Sequence, residues 1–243
     1  MINKKASTTS TAPALKRIDF HSLQELVYEE IRTVLMRGGF APGQKVSSRK
    51  LAAMVGTSDM PVRAAMGRLL AEGGLVQNAN GTFSVPHLSR KKFSEIMTMR
   101  ALLEREATMQ ACGNIDRAGF NELKRCSAGL SKAIDEHAIY DYLDYNQRLK
   151  FAIYRYTPSQ TLQSMIRLMW LQAGPFLHHL NQDLKQIGTA NFHEEAIAAL
   201  EVGKAEEAGL AISRDILGGM VFLQQHARFS PEPDSHAREG EYE

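Results

Sequence analysis

Cysteine is scarce in this 243-residue chain. Only Cys112 and Cys126 are present, too few for a disulfide framework, so a reducing cytoplasm is the expected compartment. No apolar run approaches the roughly 18 residues of a membrane span. The first residues, MINKKASTTSTAPALKR, have no apolar segment behind their lysines, so no secretory signal is expected. Large net charge is also missing: 29 Lys+Arg against 27 Asp+Glu leave +2, which argues neither for nor against a nucleic-acid partner. There is no H-E-x-x-H, no paired E-x-x-H, no G-x-S-x-G and no phosphate-binding loop, so no enzyme class is signalled. No repeat of 20–50 residues occurs.

What is present is the balance of a soluble globular protein, 44% hydrophobic and 23% charged, with length enough for two domains. The charge is unevenly placed: +5 over residues 1–88, +1 over 89–231 and −4 over 232–243. A basic first third suggests an electrostatic footprint on one domain. Residues 1–18 are polar and aperiodic and read as a flexible arm; residues 230–243, with Pro231 and Pro233, read as a flexible acidic tail.

Between these ends helical periodicity dominates. Leu23, Leu26, Val27, Ile31, Val34 and Leu35 mark one helix, stopped by Gly38-Gly39 and Pro42-Gly43. Ser48 is placed to cap a short second helix ending at Gly56. Thr57-Ser58 opens a third, with Val62, Ala65, Met66 and Leu69 buried. Leu75–Val76 and Thr82–Val85 then read as strands around Asn78-Ala79-Asn80-Gly81. From Ser89 onward helices are expected at 89–112, 116–136, 138–156, 159–181, 189–202 and 204–227. The expected architecture is mainly α: a winged helix-turn-helix over 19–88 and an all-α helical bundle over 89–229.

The stretch SSRKLAAMVGTSDMPVRAAMGRLLAEGGLV (47–76) resembles the winged-helix signature of GntR-type bacterial transcription regulators, and VYEEIRTVLMRGGFAPGQKV (27–46) fits the helix and turn before it. The resemblance implies DNA-contacting roles for Arg49, for Ser58, Asp59, Met60 and Arg63 on the recognition helix, and for the wing glycine Gly81. An arginine fork suits guanine O6 and N7. Asp59 departs from the pattern, where arginine is usual. It repels phosphate but can accept from cytosine N4, so an altered operator is expected. Equally, Asp59 reads as a helix-dipole partner or as the i,i+4 partner of Arg63.

The second region resembles the all-α FCD effector domain of the FadR-type branch. Its marks are FSEIMTMRALLEREATMQA (93–111), NQRLKFAIYRYTPSQTLQSMIRLMWLQAGPFL (146–177) and FHEEAIAALEVGKAEEAGLAISRDI (192–216). Many such domains hold a divalent metal, and the matching positions here are Asn146, Lys150, His193 and Asp215. Lysine has no lone pair while protonated. No cofactor is therefore expected, and the expectation is a Lys150–Asp215 pair in the ion's place, with Asn146, His193 and Asp215 as a remnant metal site. Arg100, Asn146, Lys150, His193 and Asp215 would line an effector pocket for an organic acid; Arg100 and Glu104 also read as a simple i,i+4 pair.

The resemblance implies a homodimeric repressor that binds double-stranded operator DNA and senses a small carboxylate-bearing metabolite. A non-sensing dimerisation bundle and a metal-dependent helical enzyme stay open beside it.

Overall fold

The computed structural model describes residues 20–182 and 190–232. The expected arm at 1–18 and residues 233–243 of the expected tail lie outside the described residues.

The first unit opens with α1 (Phe20–Met36) and is followed by β1 (Lys45–Val46), α2 (Ser48–Val55), α3 (Asp59–Ala71), β2 (Val76–Gln77) and β3 (Phe83–Ser84). Its apolar positions fall where helical spacing puts them: Val27, Ile31 and Leu35 of α1 are buried with Val62, Met66 and Leu69 of α3. Tyr28 adds a polar fastening across the same contact, donating to Glu72 Oε2 at 2.5 Å, with the Arg68 guanidinium 3.6 Å from its ring centroid. The strands form a small antiparallel sheet in the order β1-β3-β2. Strand β1 is absent from the sequence reading because two residues carry no detectable alternation; only pairing with β3 makes it a strand. The N-cap of α2 is Ser47, one residue earlier than expected.

The second unit contains α4 (Arg90–Ala111), α5 (Arg117–Asp135), α6 (Ile139–Tyr154), α7 (Gln160–Ala173), α8 (Ala190–Glu201) and α9 (Ala205–His226). Helix α4 runs against α9, α7 and α6, while α5 lies on α6 and α8 on α9. The single helix expected over 159–181 is corrected: α7 ends at Ala173, and Gly174–Gln182 form a 3-10 helix. Pro175 supplies the reason, since its nitrogen cannot donate to the Leu171 carbonyl and its ring crowds that oxygen. Residues 230–232, assigned to the tail, are tied down where they are described: Ser230 N donates to Leu88 O at 3.0 Å, and Lys91 N to Glu232 Oε1 at 3.0 Å.

The two units share a packed junction. A Cβ on Gly174 would lie 2.6 Å from both Cα and O of Met36, so only hydrogen fits between the 3-10 segment and α1. Gly38, at φ +71, sits against the Leu177–His178 backbone, and its carbonyl lies 3.2 Å from His178 Nδ1. Arg37 reaches from the end of α1 to Asp144 at 2.7 Å and to Gln147 Oε1 at 2.6 Å on α6. One contiguous set of buried apolar side chains runs through both units.

Candidate functional site

On the first unit, the candidate side chains lie at helix starts. Arg49 is the second residue of α2 and is exposed, with no ion pair among the described residues. Ser58 is the N-cap of α3 in extended conformation, yet its hydroxyl makes no capping hydrogen bond and faces solvent. Met60, in the first turn of α3, is 61% exposed. Arg63 is exposed and stands 3.8 Å from Asp59, a loose surface pair worth at most about 1 kcal/mol. Its guanidinium is therefore available to another partner. Gly81 closes the β2–β3 turn at φ +76, donating to Asn78 O at 2.8 Å; open space surrounds it, so the backbone conformation is what requires glycine. An N-terminal helix dipole, exposed guanidiniums and a projecting hairpin together suit a phosphate-lined groove.

Inside the second unit, the structure gathers the other candidates into one polar cluster. Lys150, 1% exposed, places Nζ 2.5 Å from Asp215 Oδ2. His193 Nε2 lies 3.5 Å from the same oxygen, and His193 is buried too. Burial alone would raise the Asp215 carboxyl; the Lys150 charge, then His193 and Arg100, outweigh it and hold the carboxyl below the usual carboxylate range. Arg100 Nε donates to Glu104 Oε1 at 2.7 Å, with its guanidinium 4.0 Å from the Trp170 ring centroid. Tyr154 completes the chain, donating to Glu104 Oε2 at 2.6 Å. Burial, with the Glu104 charge behind it, pushes the Tyr154 phenol well above its ordinary value, so it stays a donor.

These side chains do not fit a divalent cation. The Lys150 ammonium already occupies the Asp215 oxygen that would ligate, and it brings positive charge to that point. Among the described residues, no group of three His, Cys, Asp or Glu side chains gathers as a metal site. A cavity of about 40 Å³ remains beside the pair, lined by Arg100, Tyr142, Asn146, Lys150, Leu177 and Asp215 among others. All five expected pocket residues thus come together, although His193 reaches the cluster through Asp215 instead of lining the cavity.

Four residues with polar partners here have no such role in the sequence analysis. Tyr154 stands at i+4 from Lys150 and i+8 from Asn146 on α6, a spacing that could have put it on the same face. The junction residues Arg37, Asp144 and Gln147 carried no local signal, because their contact joins segments 110 residues apart.

Residues 23–84 match the family described as bacterial regulatory proteins, gntR family, and residues 95–217 match the FCD domain. The chain is 28% identical over 168 residues to the HTH-type transcriptional regulator McbR of Escherichia coli (strain K12), covering 69% of this chain and 76% of that one. It is 36% identical over 73 residues to the Nta operon transcriptional regulator of Aminobacter aminovorans, covering 30% of this chain and 35% of the relative. The solved structure of E. coli McbR/YncC superposes with a TM-score of 0.79 at 24% identity, over 85% of this chain and 99% of that chain, which shows the shared fold.

Proposed function

The chain belongs to the gntR family of bacterial regulatory proteins with an FCD domain, a family of DNA-binding transcriptional regulators, and from that premise we propose a homodimeric, cytoplasmic repressor that releases its operator on binding a compact carboxylate. The observation that carries this reading is the division of labour between two sets of cations. Arg49 and Arg63 are exposed at helix starts on the winged unit, whereas Arg100 and Lys150 are buried in the bundle and line one cavity.

A two-fold protein doubles its contacts on a palindromic operator, which is the physical case for a homodimer. Base readout falls to Arg63, with Asp59 accepting from a cytosine amino group. Arg49 and Ser58 suit phosphate contacts that set register. In the bundle, one carboxylate oxygen meets the Lys150 ammonium and the other the Arg100 guanidinium, whose Nε is held by Glu104 and whose Nη1 lies 3.6 Å from Met97 Sδ. A volume of about 40 Å³ admits an anion of a few heavy atoms; a larger effector needs Leu177 and Leu180 to move. Leu177 precedes His178, which packs on Gly38, so that movement would reach the winged unit. Such an effector acts only through different affinity for the two arrangements. With Lys150 paired to Asp215 at this point, the reading calls for no resident metal.

Two measurements test this. A gel shift against the DNA upstream of the protein's own coding region should give a salt-sensitive complex, with Arg63→Ala weakening it; no salt-sensitive shift at any candidate operator would sink the DNA-binding assignment at this level of detail. Thermal titration with acetate, lactate and succinate should raise the midpoint saturably in the wild type and not in Lys150→Met. The small cavity favours a second reading, a bundle that only dimerises. A flat response to all three acids would establish that one instead.

A further inference from the structure

The junction between the two units holds a second concavity with its own chemistry. It measures about 220 Å³ and is bounded by Thr33 and Met36 from α1, Arg37 just beyond its end, Arg148 and Phe151 from α6, and Arg167 from α7. We propose that this cleft is an anion site for a small ligand bearing a carboxylate or phosphate group, separate from the bundle interior.

Charge arithmetic at the cleft supplies the first argument. Arg37 and Arg148 share a single carboxylate, Asp144, at 2.7 and 3.3 Å. Glu29, the acid on the cleft wall, is held by Arg32 at 3.2 Å. Arg167 has no carboxylate within ion-pair distance among the described residues; its guanidinium sits 5.5 Å from the Phe151 ring centroid. Three guanidiniums therefore converge where one carboxylate is shared by two of them. Isolated surface arginines are ordinarily just solvated, but cations of one sign lining a concave, partly apolar wall focus the field and concentrate anions. Guanidinium is also the cation whose planar fork matches carboxylate and phosphate oxygens in pairs.

Shape supplies the second argument. The floor includes buried Met36 and the half-buried Phe151, so the cleft offers apolar contact beneath its charged rim. Its volume is several times that of the interior cavity, enough to take in an anionic group together with part of the body that carries it. The walls belong to both units. An anion bridging Arg37 to Arg167 would tie α1 of the winged unit to α7 of the bundle, adding to the Arg37–Asp144 contact already there. Occupancy would thus stiffen the junction through which the DNA-binding unit is held.

The test is calorimetric and thermal titration of the full chain with inorganic phosphate and, separately, benzoate, at constant ionic strength set with sodium chloride. The wild type should bind at least one of them saturably. Phosphate alone would assign a phosphate-bearing ligand, benzoate alone a carboxylate with an apolar body. Arg167→Ala, which breaks no ion pair among the described residues, should weaken that binding at least tenfold. Arg117→Ala, an exposed arginine on α5 outside the cleft, should leave it unchanged, and Lys150→Met should retain it, which separates this site from the interior one. Absence of saturable binding by both probes, or equal weakening in Arg167→Ala and Arg117→Ala, would overturn the proposal.

Discussion

Lys150 and Asp215 are each more than nine-tenths buried, and at that depth a charge left alone is far more costly than a pair. Lys150→Met removes the largest favourable influence on the Asp215 carboxyl and should cost about 3–5 kcal/mol, measured by denaturant unfolding. The pH dependence follows from the same carboxyl. Its folded value is lowered, so its contribution is complete above the unfolded carboxylate value near about 4 and is lost as pH falls through the lower folded value. Without Lys150 the folded value rises, and the acid-unfolding midpoint should move to higher pH. A double variant, Lys150→Met with Asp215→Leu, should regain most of the lost stability; failure to do so would mean that the cost lies in packing and not in charge. His179 titrates in a different window. Burial, reinforced by His178, His87 and Arg228, holds its imidazole below the ordinary value of 6.5. The unfolded chain therefore takes up a proton that the folded chain refuses, and stability falls as pH drops below about 6.5. His179→Phe keeps a ring against Phe176 and cannot titrate, so its thermal midpoint should fall less between pH 7 and pH 5.

At the scale of elements, α3 presents two different faces. Its inner face, Val62, Ala65, Met66 and Leu69, is fully committed to the core, while Met60 and Arg63 stay exposed. Arg63→Ala should weaken operator binding by about 1–3 kcal/mol, roughly 5- to 150-fold. If the loss is the same on every DNA sequence and the salt slope drops by about one, Arg63 holds phosphate and not a base. Asp59→Arg should shift which operator is preferred, read by binding selection from random DNA. Much of this element was legible: apolar spacing, the capping position and the resemblance all depend on neighbours within a few residues. The 3-10 segment was less so. Gly174-Pro175 carried the signal for a break, but the apolar spacing of Phe176, Leu177 and Leu180 continues as if the helix did too. Those side chains are buried against α4, α9 and the junction, so tertiary contacts keep the periodicity while proline changes the backbone.

Across the whole molecule, the close approach of Gly174 to Met36 is what lets the winged unit and the bundle share a core. The obstacle to a methyl group there is backbone, which cannot swing aside as a side chain can. Gly174→Ala should destabilise the junction by about 1–3 kcal/mol and split thermal unfolding into two calorimetric transitions. A single transition at the wild-type midpoint would show that the units are coupled elsewhere, through Arg37 and its partners on α6.

The sequence by itself determined where helices form and their order, though not where α7 ends, together with the winged arrangement and the family, because periodicity, capping and motif spacing are encoded locally. It also pointed to Lys150 and Asp215 as partners, since both stand at positions the resemblance links. Tertiary structure alone decided that Tyr154 closes the Arg100–Glu104 chain and that the interior cavity is only about 40 Å³. It alone decided that three arginines, one just past α1 and the others on α6 and α7, line one cleft. Those facts depend on how far apart helices pack and how they are rotated, and that is set by the sum of many buried contacts between segments distant in the chain.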